Sequence, residues 1–391
     1  GYKHKVNFNT NNSGVWDILD NGDAIWRLKI ESSNAYNLRI MFKDLSLPEG
    51  SLLHFYKDAG GEFLGAYSSF NNSEYFSTPL IEGDYCFIEY FEPADVDFSG
   101  SLQITKVIHD YKNYYDLPFN SNRDECGMDV VCSDADPYED QINASAHLDL
   151  GWGICSGAMI NNTANDLTPY FLTANHCTQG EQPSQFRFYF NFARSGCGSG
   201  CSQSWGGWSC MGSHAYGSTM KFASNDSNGS NGISENDVAL VEIIDNTSSD
   251  LAALEGVYYA GWNISSSSLQ DISVGVHHPN GEPKQISFSV DSQGDPGTGL
   301  TNGWDNWGTH WKVVWEEGGT EPGSSGSPIF DANGRILGPL SGGPDIPCGS
   351  AGDNALYGKL NWNGNNQIPD ENWTGLAEYL DPTGSGAIYL D

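Results

Sequence analysis

The chain has 391 residues, a formal charge of −33, and 38% hydrophobic residues. A chain of that length is longer than a typical domain with one hydrophobic core, so we expect two domains. The hydrophobic content excludes disorder of the whole chain. The acidity argues against nucleic acids and anionic membranes as partners, because like charges repel.

Residues 15–110 alternate between apolar and polar side chains in short runs separated by turn residues. A period of two is typical of strands with one buried face. The predicted strands are residues 24–30, 38–42, 52–56, 85–90 and 102–107. This regular series without helices predicts a small β-sandwich.

Residues 111–125 have little apolar periodicity and read as a linker. We therefore expect a sandwich domain with its linker at 1–120 and a second domain at 121–391. The second part is again β-rich and is intensely acidic, with 33 acidic against 8 basic residues. Its predicted elements are strands at 169–173, 186–190 and 238–243 and a short helix at 373–380.

Eight of the nine cysteines follow residue 120, and no CxxC pair occurs among them. This pattern predicts a disulfide framework in an oxidising compartment rather than a metal site. Cys86 is the odd residue and is expected to be a buried free thiol. No apolar run is long enough to span a bilayer. The chain starts at Gly1 without a signal segment, so we expect a secreted protein whose signal has been removed or left out.

Three segments after residue 170 carry the residue types of a serine-nucleophile triad. A strand runs into His176, Asp237 opens an apolar strand, and a Gly-Ser loop contains Ser325. A serine hydroxyl needs an imidazole base, and a buried carboxylate fixes the tautomer of that imidazole. Each segment alone is more typical of a structural residue, a cap or a turn. Their combination, in the order His, Asp, Ser, predicts the triad and a serine endopeptidase that acts through an acyl-enzyme.

The glycines around Ser325 allow the loop backbone to direct several N–H groups at one point. Such a point would hold the oxyanion of the tetrahedral intermediate, and the expected donors are Gly323 and Ser325. This chemistry needs no cofactor.

Two other functions fit parts of the sequence. The 12 Trp and 19 Tyr are compatible with a non-catalytic secreted binding protein, although scattered aromatic residues usually belong to cores and clefts. An intact triad discriminates against that function. A lipase of the α/β-hydrolase type would place its serine before the acid and the histidine, whereas here the serine comes last.

Six further segments carry a family resemblance. They are the stretches 126–132, 151–157, 161–166, 260–262, 277–279 and 320–328. With them, residues 121–391 resemble the lysyl endopeptidases, bacterial secreted members of the trypsin-like family. Residues 15–110 resemble that family's propeptide less specifically. The resemblance implies a double β-barrel with the active site in the cleft between the barrels. It also implies the disulfides Cys126–Cys348, Cys132–Cys197 and Cys155–Cys177, which leaves Cys201 and Cys210 for a local bridge.

The same resemblance implies a substrate-binding region. Its expected residues are Thr320, the edge Ser341, Gly342 and Gly343 that pairs with the substrate backbone, and the pocket positions Asp353 and Ala355. The family places an acid two positions before a Tyr-Gly pair, where this chain has Ala355, and a His where it has Ser341. If Asp353 reaches the pocket, a Lys or Arg preference at P1 (the residue before the cleaved bond) is restored. If it is solvated, the pocket is neutral and favours apolar or small side chains.

Activation is expected to differ from that of many trypsin-like zymogens. In those, a new N-terminal amine pairs with an Asp just before the nucleophile, and here that position is Ser324. The active site is therefore expected to form without N-terminal insertion. The N-terminal domain would act as an intramolecular inhibitor or folding chaperone, released by cleavage near 120–123; the alternative is a permanent accessory domain. We expect a monomer.

Metal binding has weaker support in the sequence. His277 and His278 lack a third partner at ligand spacing, which favours a structural role. Residues 134–136 and 226–231 contain oxygen ligands suited to calcium, but neither has a full ligand pattern. We expect no metal site.

Overall fold

The structure is a computed structural model that describes residues 1–57, 63–111, 127–201, 203–204, 207–212, 214–224, 236–244, 254, 256–265, 273–289, 291–294, 309–343, 354–361 and 371–391. The chain divides into two compact units, Gly1–Pro118 with Ser202–Ser209 and Phe119–Cys201 with Cys210–Asp391. In the part of the chain described, no helix is both long and apolar enough to cross a membrane.

The first unit is built from antiparallel strands. They are β1 (Tyr2–Asn9), β2 (Val15–Ile18), β3 (Ala24–Glu31), β4 (Asn37–Ser46), β5 (Leu52–Tyr56), β6 (Phe63–Tyr67), β7 (Ser73–Ser77), β8 (Ile81–Glu82), β9 (Tyr85–Glu92) and β10 (Ser101–Asp110). One sheet has the order β1-β10-β4-β7, with β8 beside β4, and the other has the order β2-β3-β9-β5-β6.

Aromatic side chains from the two sheets pack against each other in the first unit. The rings of Phe42 on β4 and Phe55 on β5 are 6.0 Å apart, and those of Tyr67 on β6 and Phe76 on β7 are 4.9 Å apart. The predicted β-sandwich is therefore confirmed. Cys86 on β9 is fully buried and free, and burial raises the pKa of its thiol to about 12, so it is chemically inert.

The chain from residue 127 onward is also mainly strands. These are β11 (Met128–Asp129), β12 (Ser145–Asp149), β13 (Ile154–Met159), β14 (Tyr170–Ala174), β15 (Arg187–Tyr189), β16 (Gln203–Ser204), β17 (Gly207–Trp208), β18 (Ala215–Tyr216), β19 (Ser218–Ala223), β20 (Val238–Ile243), β21 (Trp262–Asn263), β22 (Ser273–His277), β23 (Gln285–Ser289), β24 (Asp291–Gly294), β25 (His310–Val314), β26 (Pro328–Phe330), β27 (Ile336–Gly342), β28 (Asn354–Gly358) and β29 (Tyr389–Leu390). The α-helices among the described residues are α1 (Glu139–Ala144), α2 (Asn175–Thr178) and α3 (Glu371–Leu380).

A seven-stranded sheet with the order β18-β15-β12-β13-β14-β20-β19 closes on itself. Its two end strands, β18 and β19, are consecutive in the chain and are separated only by Gly217, whose φ is +84°. The N–H of Gly217 donates to the Phe186 carbonyl at 2.8 Å, and its carbonyl accepts from the Ile244 N–H at 3.0 Å. A single residue at positive φ thus joins both ends of the sheet, which is a role suited to glycine.

The ten-stranded sheet has the main order β11-β23-β22-β26-β27-β28-β25-β24, with β21 beside β27 and β29 beside β21. The strands β23 and β24 lie near opposite ends of this order but are almost adjacent in the chain. The Phe288 N–H on β23 donates to the Glu317 carbonyl at 2.9 Å, and the Glu316 N–H donates to the Phe288 carbonyl at 3.0 Å. Residues 316 and 317 follow β25, near the other end of the order. The second sheet therefore also curls until its ends meet.

Each barrel has its own apolar core, and a third cluster joins the two sheets. Phe171, Phe186 and Phe188 lie inside the first barrel, and Trp311, Val313 and Tyr357 inside the second. The shared cluster contains residues of both sheets and of α3: Leu172, Val238, Leu240, Val274, Ile286, Phe330, Trp373 and Leu376. The expected all-β, trypsin-like double barrel with a short C-terminal helix is confirmed.

Three disulfides form in the described chain: Cys132–Cys197, Cys155–Cys177 and Cys201–Cys210. They match two pairings implied by the family resemblance and the one expected by elimination. Cys126 and Cys348, expected to form the fourth bridge, lie outside the described residues, as does the loop 226–231 weighed for calcium.

Candidate active site

His176 and Asp237 lie at the ends of neighbouring strands. β14 and β20 are antiparallel with Ala174 opposite Val238, so the residues that follow β14 meet those that precede β20. His176 Nδ1 is 2.7 Å from Asp237 Oδ2, and the His176 backbone N–H donates to Asp237 Oδ1 at 2.8 Å. The strand register brings these two side chains together across 61 residues of sequence.

The Asp237 carboxylate is 1% exposed, whereas the His176 side chain is 38% exposed. Asp237 adopts a φ of +54°, and its carbonyl accepts from the Asn175 N–H at 3.0 Å. A buried carboxylate at this distance favours a proton on Nδ1 of the imidazole. Nε2, on the more exposed side chain, then carries the lone pair that a base needs.

The Cys155–Cys177 disulfide packs beside this imidazole, with Cys177 Sγ 3.8 Å from His176 Nε2. The ligand atoms of these three residues cluster within 4.8 Å of one another, which is compact enough for a metal ion. The two sulfurs are bonded to each other, however, and a metal would require them as thiolates. The cluster is therefore a covalent brace next to His176.

The loop that contains Ser325 lies on β13 and on the end of β14. The Ser156 N–H donates to the Ser325 carbonyl at 2.7 Å. Gly326 has a φ of +82°, and a Cβ there would fall 2.2 Å from Thr173 Oγ1 and 2.8 Å from the Ala174 nitrogen. Only glycine allows so close an approach. Ser325, which is half-buried, thereby lies beside the strand end from which His176 emerges.

The backbone N–H groups of Gly323 and Ser325 differ from those of neighbouring loop residues in their hydrogen bonding. The N–H of Ser324 donates to Glu321, that of Gly326 to Leu340 and that of Ser327 to Ser324. No carbonyl among the described residues accepts from the N–H of Gly323 or of Ser325. Gly323 has a φ of +98°, a backbone conformation that L side chains rarely adopt. These are the two donors expected from the sequence to bind an oxyanion.

The expected substrate edge is the last part of β27. Pairing of β27 with β26 reaches only Pro339, opposite Pro328, whereas pairing with β28 continues to Gly342, opposite Leu356. Ser341 and Gly342 thus extend past the start of β26, close to the Ser325 loop. Ser341 is buried, and its Oγ lies 2.9 Å from His310 Nε2 on β25, a contact that sequence reasoning missed.

The described pocket positions are apolar or neutral. Ala355 on β28 is fully buried in the cluster of Trp311, Val313 and Tyr357. Thr320, half-buried, begins the loop that leads to Ser325. Gly343 follows β27, and a Cβ there would lie 2.6 Å from the Asn354 carbonyl oxygen. Asp353 lies outside the described residues.

Sequence reasoning gave His277 and His278 only a general structural role. Both are fully buried at the end of β22 and in the turn after it. His277 Nδ1 lies 2.7 Å from Ser324 Oγ, next to Ser325 in the chain. Burial lowers the pKa of His277 to about 3, and it lowers the pKa of His278 well below the ordinary value. The only sequence signal for this contact is the His-His-Pro run at a strand end.

Comparisons with known proteins agree with these observations. The family model described as "Lysyl endopeptidase, C-terminal domain" matches residues 121–358. The chain is 26% identical over 367 residues to the lysyl endopeptidase of Pseudomonas aeruginosa, covering 86% of this chain and 72% of that protein.

Two solved structures illustrate the structural matches. The thermostable serine protease AL20 from an extremophilic microorganism is 13% identical with a TM-score of 0.39, over 63% of this chain and 98% of that chain. The HtrA-type protease AlgW with a tripeptide is 17% identical with a TM-score of 0.36, over 56% of this chain and 59% of that chain.

Proposed function

Since the lysyl endopeptidase family model matches more than half of the chain, this protein belongs to that family and is a serine endopeptidase, and we propose that His176, Asp237 and Ser325 are its catalytic triad. The observation that carries the proposal is the contact of 2.7 Å between His176 Nδ1 and the buried Asp237 carboxylate, beside the loop of Ser325.

In the proposed mechanism, His176 Nε2 accepts the proton of the Ser325 hydroxyl as Oγ attacks the substrate carbonyl. Asp237 stabilises the imidazolium that forms. The imidazolium then protonates the leaving amine, and the C–N bond breaks to leave an acyl-enzyme. Water attacks the ester with His176 again as base, which releases the acid product and restores Ser325.

The N–H groups of Gly323 and Ser325 would donate to the oxyanion of each tetrahedral intermediate. Removal of one such donor typically costs about 100- to 1000-fold in kcat. A substrate backbone would pair with the edge at Ser341, Gly342 and Gly343 as an added strand. This pairing would hold the scissile carbonyl beside Ser325 whatever the substrate's side chains are.

We further propose a neutral or apolar P1 preference. Ala355, at the position where the resembled pattern has an acid, is buried among Trp311, Val313 and Tyr357, and a Lys or Arg head group buried there would lack a counter-charge. The name of the Pseudomonas aeruginosa relative favours a second candidate, cleavage after Lys. In that case Asp353 would reach into the pocket.

The proposed site of action is extracellular, which the disulfides and the family support. We propose that residues 1–120 form the separate sandwich domain, that this domain acts as an intramolecular inhibitor or chaperone, and that cleavage near 120–123, outside the described residues, releases it. Intact mass measured over time should then show loss of about 120 residues in the active chain. The Ser325→Ala variant should remain full-length unless active protein is added.

The test of function is digestion of an unbiased peptide library by the purified full chain, with cleavage sites read by mass spectrometry. Cleavage that Ser325→Ala abolishes, with neutral residues at P1, supports both proposals. Cleavage after Lys that Asp353→Asn abolishes supports the second candidate. The matched variant Ala355→Asp should turn a neutral preference toward Lys. Cleavage that survives Ser325→Ala would overturn the triad.

A further inference from the structure

A short segment at the end of β22 holds the loop before the nucleophile from both sides. We call residues 277–281 the histidine turn and residues 319–325 the oxyanion loop. His277, Ser287 on β23 and Ser324 are each fully buried. His277 Nδ1 lies 2.7 Å from Ser324 Oγ, and His277 Nε2 lies 3.0 Å from Ser287 Oγ.

The hydrogen bonds around His277 form one consistent directional chain. Ser287 Oγ donates to the Gly319 carbonyl at 3.0 Å and accepts from the Gly319 N–H at 3.1 Å. Its single proton is then used, so His277 must donate from Nε2 to Ser287 and accept at Nδ1 from Ser324. Ser324 Oγ in turn accepts from the Glu321 N–H at 3.2 Å. A neutral His277 satisfies every donor and acceptor of this chain.

The rest of the histidine turn contacts the middle of the loop. The His278 N–H donates to Ser156 Oγ at 3.0 Å, and Ser156 Oγ donates to the Gly323 carbonyl at 2.9 Å. The Asn280 N–H donates to the Pro322 carbonyl at 2.7 Å. A Cβ on Gly323 would lie 3.0 Å from both the Gly281 nitrogen and the His278 carbonyl oxygen. The turn therefore fixes the orientation of the peptides on both sides of Gly323.

We propose that His277 is a positioning residue that holds the oxyanion loop in its catalytic conformation, through Ser324 at one end and Ser287 and Gly319 at the other. This inference rests on the proposed function and names what orders that site. Ser324 occupies the position where many zymogens have an Asp that pairs with a new N-terminus. Here a neutral, buried hydrogen-bond chain replaces an ion pair, so loop order requires no free α-amine.

The test compares His277→Leu and Ser324→Ala with the full-length wild type. Because each variant removes the same contact, we expect kcat to fall by about 100-fold, the lower end of the range for a lost oxyanion donor, with KM nearly unchanged. The two losses should not add in the double variant, since residues in direct contact are coupled. His277→Asn, whose amide oxygen can accept from Ser324, should recover part of the activity.

Two further measurements separate positioning from mere stability. Affinity for a peptide aldehyde, whose hemiacetal needs the oxyanion donors, should fall in parallel with kcat. Ser289→Ala is the matched control. Ser289 is a buried serine on β23, the strand of Ser287, but its hydroxyl donates to the Val314 carbonyl and not to the oxyanion loop. Its kcat and aldehyde affinity should stay at the wild-type level, whatever its effect on melting temperature.

Wild-type kcat in folded Ser324→Ala and His277→Leu would overturn the positioning role while leaving the proposed function intact. If the wild type does not cleave, or if Ser325→Ala still cleaves, the proposed function itself fails. Chemical acetylation of the α-amine should leave wild-type kcat unchanged, and a large loss of kcat would likewise contradict the inference.

Discussion

At the scale of single residues, Asp237 has both carboxylate oxygens hydrogen-bonded to one neighbour. Its carboxylate is buried, and both oxygens accept from His176, one from the backbone N–H and one from Nδ1. These contacts fix the imidazole in position and select its tautomer at the same time. A neutral residue of the same shape should keep the first effect and lose the second.

Asp237→Asn should therefore lower kcat by about 10,000-fold at neutral pH, because the amide would donate to Nδ1 and force the proton onto Nε2. Initial rates with a chromogenic peptide measure this. The control is Asp331→Asn, which neutralises another buried carboxylate, one that accepts from the Asn333 and Arg335 N–H groups away from the site. A loss in Asp237→Asn no larger than in this control would contradict the assigned role.

Gly326 offers a second prediction at this scale. Its Cβ would meet Thr173 and the Ala174 nitrogen at the end of β14, whereas Gly180, also at positive φ, has nothing within 4 Å of its Cβ position. Gly180→Ala should cost about 1 kcal/mol of unfolding free energy from φ strain alone. Gly326→Ala should cost clearly more and should also displace Ser325. Chemical denaturation and kcat measure the two effects, and equal costs in both variants would contradict the packing argument.

At the scale of elements, one lysine links three of them. Lys284, just before β23, is 2% exposed, and its Nζ donates to the Ile142 carbonyl of α1 at 2.7 Å and to the Phe190 carbonyl after β15 at 2.6 Å. Burial lowers its pKa to about 7. Two N–H groups remain on the neutral amine, so both carbonyls stay satisfied after deprotonation.

This lysine makes stability depend on pH. Between about pH 7 and 10.5 the unfolded chain holds a proton on Lys284 that the folded chain has lost. The free energy of unfolding should therefore rise with pH in this window, by about 1.4 kcal/mol per unit. Lys284→Met should remove that rise. Melting temperatures of both proteins from pH 7 to 9.5 test this, and a difference between them that does not change with pH would contradict it.

At the scale of the whole molecule, alternation of apolar and polar residues predicted those strands whose sequence carries that alternation. The alternating residues of β3, β4, β5, β9 and β10 predicted strands that the structure confirms. β1 was missed, because its Lys-His-Lys sequence lacks apolar alternation and it pairs only with β10 at the edge of its sheet. The short helices α1 and α2 were missed because they span only six and four residues, too few for a helical period to show in the sequence.

The candidate site divides in the same way. A strand that leads to His176 and a strand that begins after Asp237 are visible in the sequence, and antiparallel pairing of those strands accounts for the contact between the two side chains. The contact of His277 with Ser324 joins residues 47 positions apart, one at the end of β22 and one in the oxyanion loop. The His-His-Pro run marks the end of a strand but not its partner 47 residues away, so only the folded chain reveals the contact.

The most direct test of the central claim is covalent labelling of the purified, proteolytically active protein with a small alkyl fluorophosphonate, followed by peptide mapping. The reagent bonds to a serine only where a base activates the hydroxyl and donors stabilise the resulting oxyanion-like adduct. We predict one equivalent of label, on Ser325, which His176→Ala abolishes and Asp331→Asn retains. Label on another residue, or none on Ser325 in the folded wild type, would contradict the triad.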